Sequence, residues 1–243
     1  MPLSNPPSQP ENKLLAGLSR QSYNRLAPHL EPVGFALGDI LYQPKQPIKQ
    51  VYFPHKTTIS MVNILEDGSM VEIGVVGNEG MVGTALLSGD DISLHQAIVQ
   101  IADSGMSMKA EAFKQEVKND AEFNNIVHRY LQALFTQIAQ TGACNRMHPI
   151  AERLARWLLL CQDRMESDTL QLTHEFIATM LGSRRAGVSI AAGTLQTAGI
   201  ISYHRGKVII HNREGLEEAS CECYRAVKNE YDRLLGRYYP NED

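Results

Sequence analysis

The sequence predicts an α+β fold in which a β-rich first half is joined by one long helix to a helical second half that ends in a β-hairpin. Three observations carry this. From Val33 to Met108 the apolar runs are short and repeatedly broken by Gly and Pro, which a helix does not tolerate. After Lys109 the texture changes, and apolar residues recur at spacings of three and four. The 243 residues allow one large domain or two modest ones, each with its own core.

In chain order, the opening "MPLSNPPSQPENK" has no apolar segment and reads as a mobile tail over residues 1–12 rather than a secretory signal. Residues 13–118 follow as an antiparallel roll or barrel. "FALGDILYQPKQPIKQVYF" divides into short strands, and "TISMVNILEDGSMVEIGVV" places Asp67-Gly68 between two apolar runs. That is a hairpin signal, because both central turn positions accept positive φ. Residues 119–146 read as one amphipathic helix with Phe123, Ile126, Tyr130, Leu134 and Ile138 on one stripe. Such a stripe is either packed core or a seam between two copies, and the segment that follows favours the seam. Pro149 suits the first turn of a second helix, "PIAERLARWLLLCQDRM".

"LTHEFIATMLGSRRAGVSIAAGTLQTAGII" then divides into two helices around Gly182. Thr173 is a good N-cap for the first, with Glu175 in its opening turn where the helix dipole favours an anion. Phe176, Ile177, Met180 and Leu181 form its inner face. Ser183 is placed to cap the second helix, whose Val188, Ala191 or Ala192, and Leu195 keep helical spacing. Ala178, Ala186 and Gly187 are small enough for the helices to cross closely. This is a helix-turn-helix pattern. It leaves Arg184, Arg185, Ser189 and Gln196 outside, and residues near the N-terminus of a recognition helix are the ones that reach base edges in a major groove. An arginine there donates two hydrogen bonds to guanine.

"GIISYHRGKVIIHNREGLEEA" reads as a second hairpin, a wing with Arg205 and Lys207 at its tip for phosphate contact. From Gly182 to Arg213 the chain holds five Arg or Lys and no Asp or Glu, inside a protein of formal net charge −4. A local excess of that size is an electrostatic footprint for nucleic acid. Residues 147–220 are assigned to this winged domain and 221–243 to a helical tail. No apolar run approaches the ~18 residues of a membrane span. The cysteines, Cys144, Cys161, Cys221 and Cys223, lie in the second half. They read as reduced thiols of a cytoplasmic protein, packed as small hydrophobes. Cys221-Glu-Cys223 is too short for the usual zinc spacing and has no ligand pair close by in sequence, so no metal is assigned, with a redox or metal role as the alternative.

Over nearly its whole length the chain resembles the Crp/Fnr transcription regulators. "LTHEFIATMLGSRRAGVSIAAGTLQTAGII…RGKVII" is similar to that family's winged helix-turn-helix. The preceding helix resembles its dimerisation helix. The first half, "FALGDILYQ" and "EGMVG" included, resembles its double-stranded β-helix (jelly-roll) effector domain. The resemblance implies a homodimer on a palindromic promoter site, RNA polymerase as a further partner, and Arg185 as the base-reading arginine beside Arg184. The chain departs from the family at Ala186, where a glutamate is usual, and at Ile190, where a basic residue often stands, so its base preference differs.

An effector pocket is implied around Gly77, Glu79, Gly80, Met81, Val82 and Gly83, with His95 and Gln96. Cyclic-nucleotide binders of the family carry Arg-Ser-Ala where this chain has His95-Gln96-Ala97. A neutral histidine cannot supply the permanent bidentate charge of arginine, so cyclic AMP is not the expected effector and the effector is an unassigned small molecule. No cysteine precedes Cys144, which argues against the family's N-terminal iron–sulfur sensor. No nucleophile–base pairing or Gly-rich phosphate loop points to an enzyme. The alternative is an effector-binding module, or an enzyme, in which the helix-turn-helix is structural only.

Overall fold

The computed structural model describes residues 10–236 and 238. Two short helices, α1 (Lys13–Ala16) and α2 (Arg20–Leu26), precede seven strands: β1 (Glu31–Phe35), β2 (Ile40–Tyr42), β3 (Gln50–Pro54), β4 (Thr58–Ile64), β5 (Met70–Val76), β6 (Gln96–Ile101) and β7 (Asp103–Lys109). They form two antiparallel sheets in the orders β1-β7-β3 and β2-β6-β4-β5, a jelly-roll with Phe53, Ile59, Val99 and Met108 in its core. The hairpin at Asp67-Gly68 forms, but only Gly68 takes a left-handed φ, +81°. Its amide donates to Leu65 O, and Leu65 N donates to Ser69 O, so the turn is longer than a two-residue connection.

Asn12 corrects the expectation of a tail over 1–12. It is fully buried, accepts from Leu14 N and Leu15 N to cap α1, and donates to Pro54 O and Gly80 O. A buried amide with four partners anchors the chain to the roll. The remainder of that segment, residues 1–9, lies outside the described residues.

Two helices follow the roll, α3 (Ala110–Asn119) and α4 (Ala121–Met147). Asp120 breaks them apart and caps the second, accepting from Glu122 N and Phe123 N. The stripe expected to face a second copy packs instead within the chain: Phe123, Ile126, Tyr130 and Leu134 are buried, and Ile138 is half-buried against Gly74. Helical periodicity reports that a face is covered, not which chain covers it. Part of the cover is α9 (Cys223–Leu235), whose Tyr231 meets the Tyr130 ring edge-on with the centroids 6.4 Å apart. The expected helical tail over 221–243 is therefore packed core as far as Leu235, with Val227, Tyr231 and Leu234 buried. Residues 237 and 239–243 lie outside the described residues.

Between α4 and α9 come α5 (Ile150–Met165), β8 (Thr169–Gln171), α6 (His174–Met180), α7 (Arg185–Thr197), β9 (Ile201–His204), β10 (Lys207–Ile210) and α8 (Arg213–Glu218). Pro149 is the N-cap of α5 rather than a first-turn residue. Every residue from Leu154 to Gln162 is buried, so α5 has no solvent face. It touches β4 and β5 on one side and α7 and α8 on the other. This cover explains why β4 buries five successive residues instead of alternating.

Polar contacts fasten the joint. Trp157 Nε1 donates to Glu72 Oε1 at 2.8 Å, and Ser60 Oγ donates to Glu72 Oε2 at 2.6 Å. Burial raises the Glu72 carboxyl to about 7 despite these donors. Arg164 Nε lies 2.9 Å from Glu79 Oε1 and 3.1 Å from Val75 O, while its Nη1 donates to Leu160 O. Among the described residues no helix is long and apolar enough to cross a membrane.

Candidate nucleic-acid interface

The two helices of the predicted motif are α6 and α7. Thr173 caps α6, its hydroxyl accepting from Phe176 N at 3.1 Å. The chain reverses at Gly182, where φ is +55° and an added Cβ would stand 3.0 Å from Val71 of the roll. Only glycine suits both demands. Arg184, not Ser183, is the N-cap of α7, and no side chain caps it. Ser183 is held through its amide, which donates to Ala178 O at 2.9 Å.

Val188, Ala191, Ala192 and Leu195 turn inward from α7. Arg184, Arg185, Ser189, Ile190 and Gln196 are exposed. Ala178 is buried as expected for a close crossing, but Ala186 is exposed and plays no part in it. Ile190 is 72% exposed, an uncovered apolar side chain on the outer face of this helix.

The wing is β9 and β10, with a third strand, β8, paired to β10; β8 is three residues long, too short to carry an alternating pattern in the sequence. Arg205 and Gly206 take φ of +48° and +79°, the two left-handed positions of a tight hairpin turn. That turn leaves Arg205 and Lys207 exposed at the tip.

Several expected base readers are occupied within the chain. Gln196 Oε1 accepts from Tyr203 N at 2.9 Å, tying α7 to the wing. Ser189 Oγ lies 3.0 Å from His174 Nδ1, and the His174 ring stacks on Tyr203 at 3.8 Å. Burial, and then the charge of Arg185, lower the His174 imidazole from its ordinary value. Arg213 leaves the basic surface altogether: it pairs with Asp163 at 2.7 Å and Glu217 at 3.0 Å. Arg185 keeps only an exposed contact with Glu175 at 3.8 Å, worth little in water.

The residues expected around an effector do not form one site of contacts. Glu79 faces Arg164 and accepts from Gly77 N. Gly80 lies against the Tyr130 ring, where a Cβ would meet it at 2.4 Å. Met81 and Val82 are core, and Gly83 takes a φ of +107° beside Val51. Gln96 is buried in the sheet opposite Val62. His95 makes its contacts elsewhere, with Tyr42 Oη and Ser93 Oγ at 2.8 Å each, and burial lowers its pKa. A cleft of about 650 Å³ does open beside Glu79, between the roll, α5 and α9, bordered by Arg164, Asp163, Arg213 and Tyr231.

The expectation that Cys221 and Cys223 have no ligand pair nearby fails in space. Cys144 and His148, from the end of α4, stand beside them, and the four ligand atoms lie within 4.8 Å of one another.

Comparison with known proteins agrees with the geometry. Residues 152–219 match the Crp-like helix-turn-helix domain. The global nitrogen regulator of Nostoc sp. is 24% identical over 211 residues, which span 83% of this chain and 94% of the relative. That of Synechocystis sp. is 24% identical over 223 residues, 86% of this chain and 96% of the relative. Among solved structures, FixK2 from Bradyrhizobium japonicum aligns with a TM-score of 0.68 at 17% identity, covering 79% of this chain and 98% of its own. A Crp-like helix-turn-helix, a jelly-roll and a long connecting helix thus occur together in one chain, in the arrangement of the Crp/Fnr-type transcriptional regulators to which it is similar.

Proposed function

We propose that this regulator binds a two-fold symmetric promoter site as a homodimer, in the cytoplasm and in contact with RNA polymerase, under control of a small-molecule effector. The observation that carries the DNA-reading assignment is the first turn of α7. It presents Arg184 and Arg185 to solvent beside a wing tip bearing Arg205 and Lys207, with no Asp or Glu in the segment between them. Arg185 reads guanine, Arg205 and Lys207 hold phosphate, and exposed Ile190 meets a thymine methyl. Ser189, Gln196 and Thr173 act mainly by holding α6, α7 and the wing in register.

The seam between copies lies on the uncovered face of α4. Phe135 and Met147 are 64% and 73% exposed there, and Ala139, Gly142 and Ala143 between them are exposed and small enough for a second helix to approach. The effector enters the cleft beside Glu79, where a bound molecule touches the roll, α5 and α9 together. Cyclic AMP does not suit it, because the buried arginine there is already paired with a carboxylate.

Selection of genomic fragments by the purified protein, followed by light scattering of the complex, tests this reading. A palindromic site bound by two chains is expected. Binding without sequence preference, or tight specific binding by a monomer, would overturn it.

A further inference from the structure

Outside the DNA-reading face and the effector cleft, Cys144, His148, Cys221 and Cys223 form a cluster with its own chemistry. Cys144, Cys221 and Cys223 are buried and pack apart from the main apolar core. Cys144 Sγ lies 3.5 Å from Cys221 Sγ, and Cys223 Sγ lies 3.5 Å from His148 Nδ1. None of these cysteines is in a disulfide.

A tetrahedral ion with metal–sulfur bonds of about 2.3 Å holds its thiolates about 3.8 Å apart, from the geometry of the tetrahedron. The four ligand atoms lie within 4.8 Å of one another, so small adjustments of the side chains bring them around a single ion. A cluster of several irons would hold its thiolates farther apart. Three sulfurs and one imidazole are a donor set of structural zinc.

The surroundings point the same way. His148 directs Nδ1 into the cluster, while Nε2 lies 3.3 Å from Glu222 Oε2. A carboxylate on the far nitrogen is what orients a metal-binding imidazole. Gln140 Nε2 donates to Cys223 Sγ at 3.1 Å, a contact that stabilises a thiolate. Three thiolates around a dication leave one net negative charge, and Arg153 and Arg156 both act on Cys144 electrostatically.

We infer that Cys144, Cys221, Cys223 and His148 form a mononuclear binding site for a thiophilic divalent cation of the zinc class. The site joins the C-terminal end of α4 to the start of α9, immediately after the winged domain. A bound ion therefore fixes that domain to the helix proposed to join two copies, and loss of the ion frees one from the other. The metal-binding assignment stands whether or not the proposed seam and operator are correct.

The test uses the full chain, fully reduced and stripped with a chelator, then titrated with cobalt(II) under anaerobic conditions. About one cobalt per chain is expected, with thiolate-to-metal charge transfer in the near ultraviolet and the strong visible bands of a tetrahedral site, both bleached by zinc. Cys144→Ser and Cys223→Ser should lose these bands, and Cys161→Ser, outside the cluster, should keep them. Zinc should also raise the melting temperature of the unaltered chain, a readout that does not depend on the serine variants folding. A reduced, unaltered chain that shows no thiolate band would overturn the site. So would a band unchanged by Cys144→Ser and Cys223→Ser.

Discussion

Arg164 and Arg185 carry the same side chain and opposite roles. Arg164 is 5% exposed, ion-paired to Glu79, bonded to two backbone carbonyls and to Gln137, and lies over the Tyr231 ring. Arg185 is 70% exposed, with one long contact to Glu175. A guanidinium enclosed by carbonyls and a carboxylate has all three of its nitrogens engaged inside the chain. One left in water keeps its fork of donors for whatever docks on it. Burial therefore separates an arginine that fastens α5 to the roll from one whose fork is open to the partner proposed for it.

The largest effect expected of this difference is on stability. Arg164→Ala removes the buried guanidinium from Glu79 and from the carbonyls it bonds, and should cost about 3–5 kcal/mol, the usual result of breaking a buried pair. Denaturant unfolding of Arg164→Ala beside Arg164→Ala/Glu79→Ala measures it. The double variant should recover part of the loss, and additive losses would mean that the two groups are uncoupled.

Glu72 gives the same joint a pH dependence. Its carboxyl titrates near 7 in the folded chain and at 4.5 when exposed. A raised acid pKa means that the folded state holds the proton longer, so stability is greatest below about 4.5 and falls as pH rises toward 7, by up to about 3 kcal/mol. Glu72→Gln should remove that slope in melts recorded across the interval. A slope unchanged in the variant would assign it to another group.

Arg185→Ala should leave the melting temperature unaltered and lower discrimination by about 1–3 kcal/mol at one base pair per half-site. Affinities for a selected site and its single-base variants measure this. An equal loss on every sequence would make Arg185 a phosphate contact and move base reading to Arg184. The smallest effect belongs to Lys207→Ala, which should weaken all sequences alike and reduce the salt dependence by about one counterion per contact.

Much of this was legible in the sequence because it is set locally. The Gly182 turn, the Thr173 cap, the Arg205-Gly206 hairpin and the helical spacing of α4 each depend on residues within a few positions of one another. What the apolar stripe of α4 faces was not legible. Phe123 and Tyr130 are apolar at helical intervals whether a second copy or the chain's own α9 covers them, and only packing decides. The same holds for charge: Arg213 and Arg185 look alike in the segment, yet Asp163 neutralises one from fifty residues away. The cysteines show the limit most plainly. Cys221 and Cys223 have no ligand pair beside them in the chain, and Cys144 and His148 reach them only because α9 folds back along α4. Sequence determined which groups were available and how each short segment turned; the long-range packing of α4, α5 and α9 decided which of them meet, because contacts between distant segments depend on burial and not on spacing.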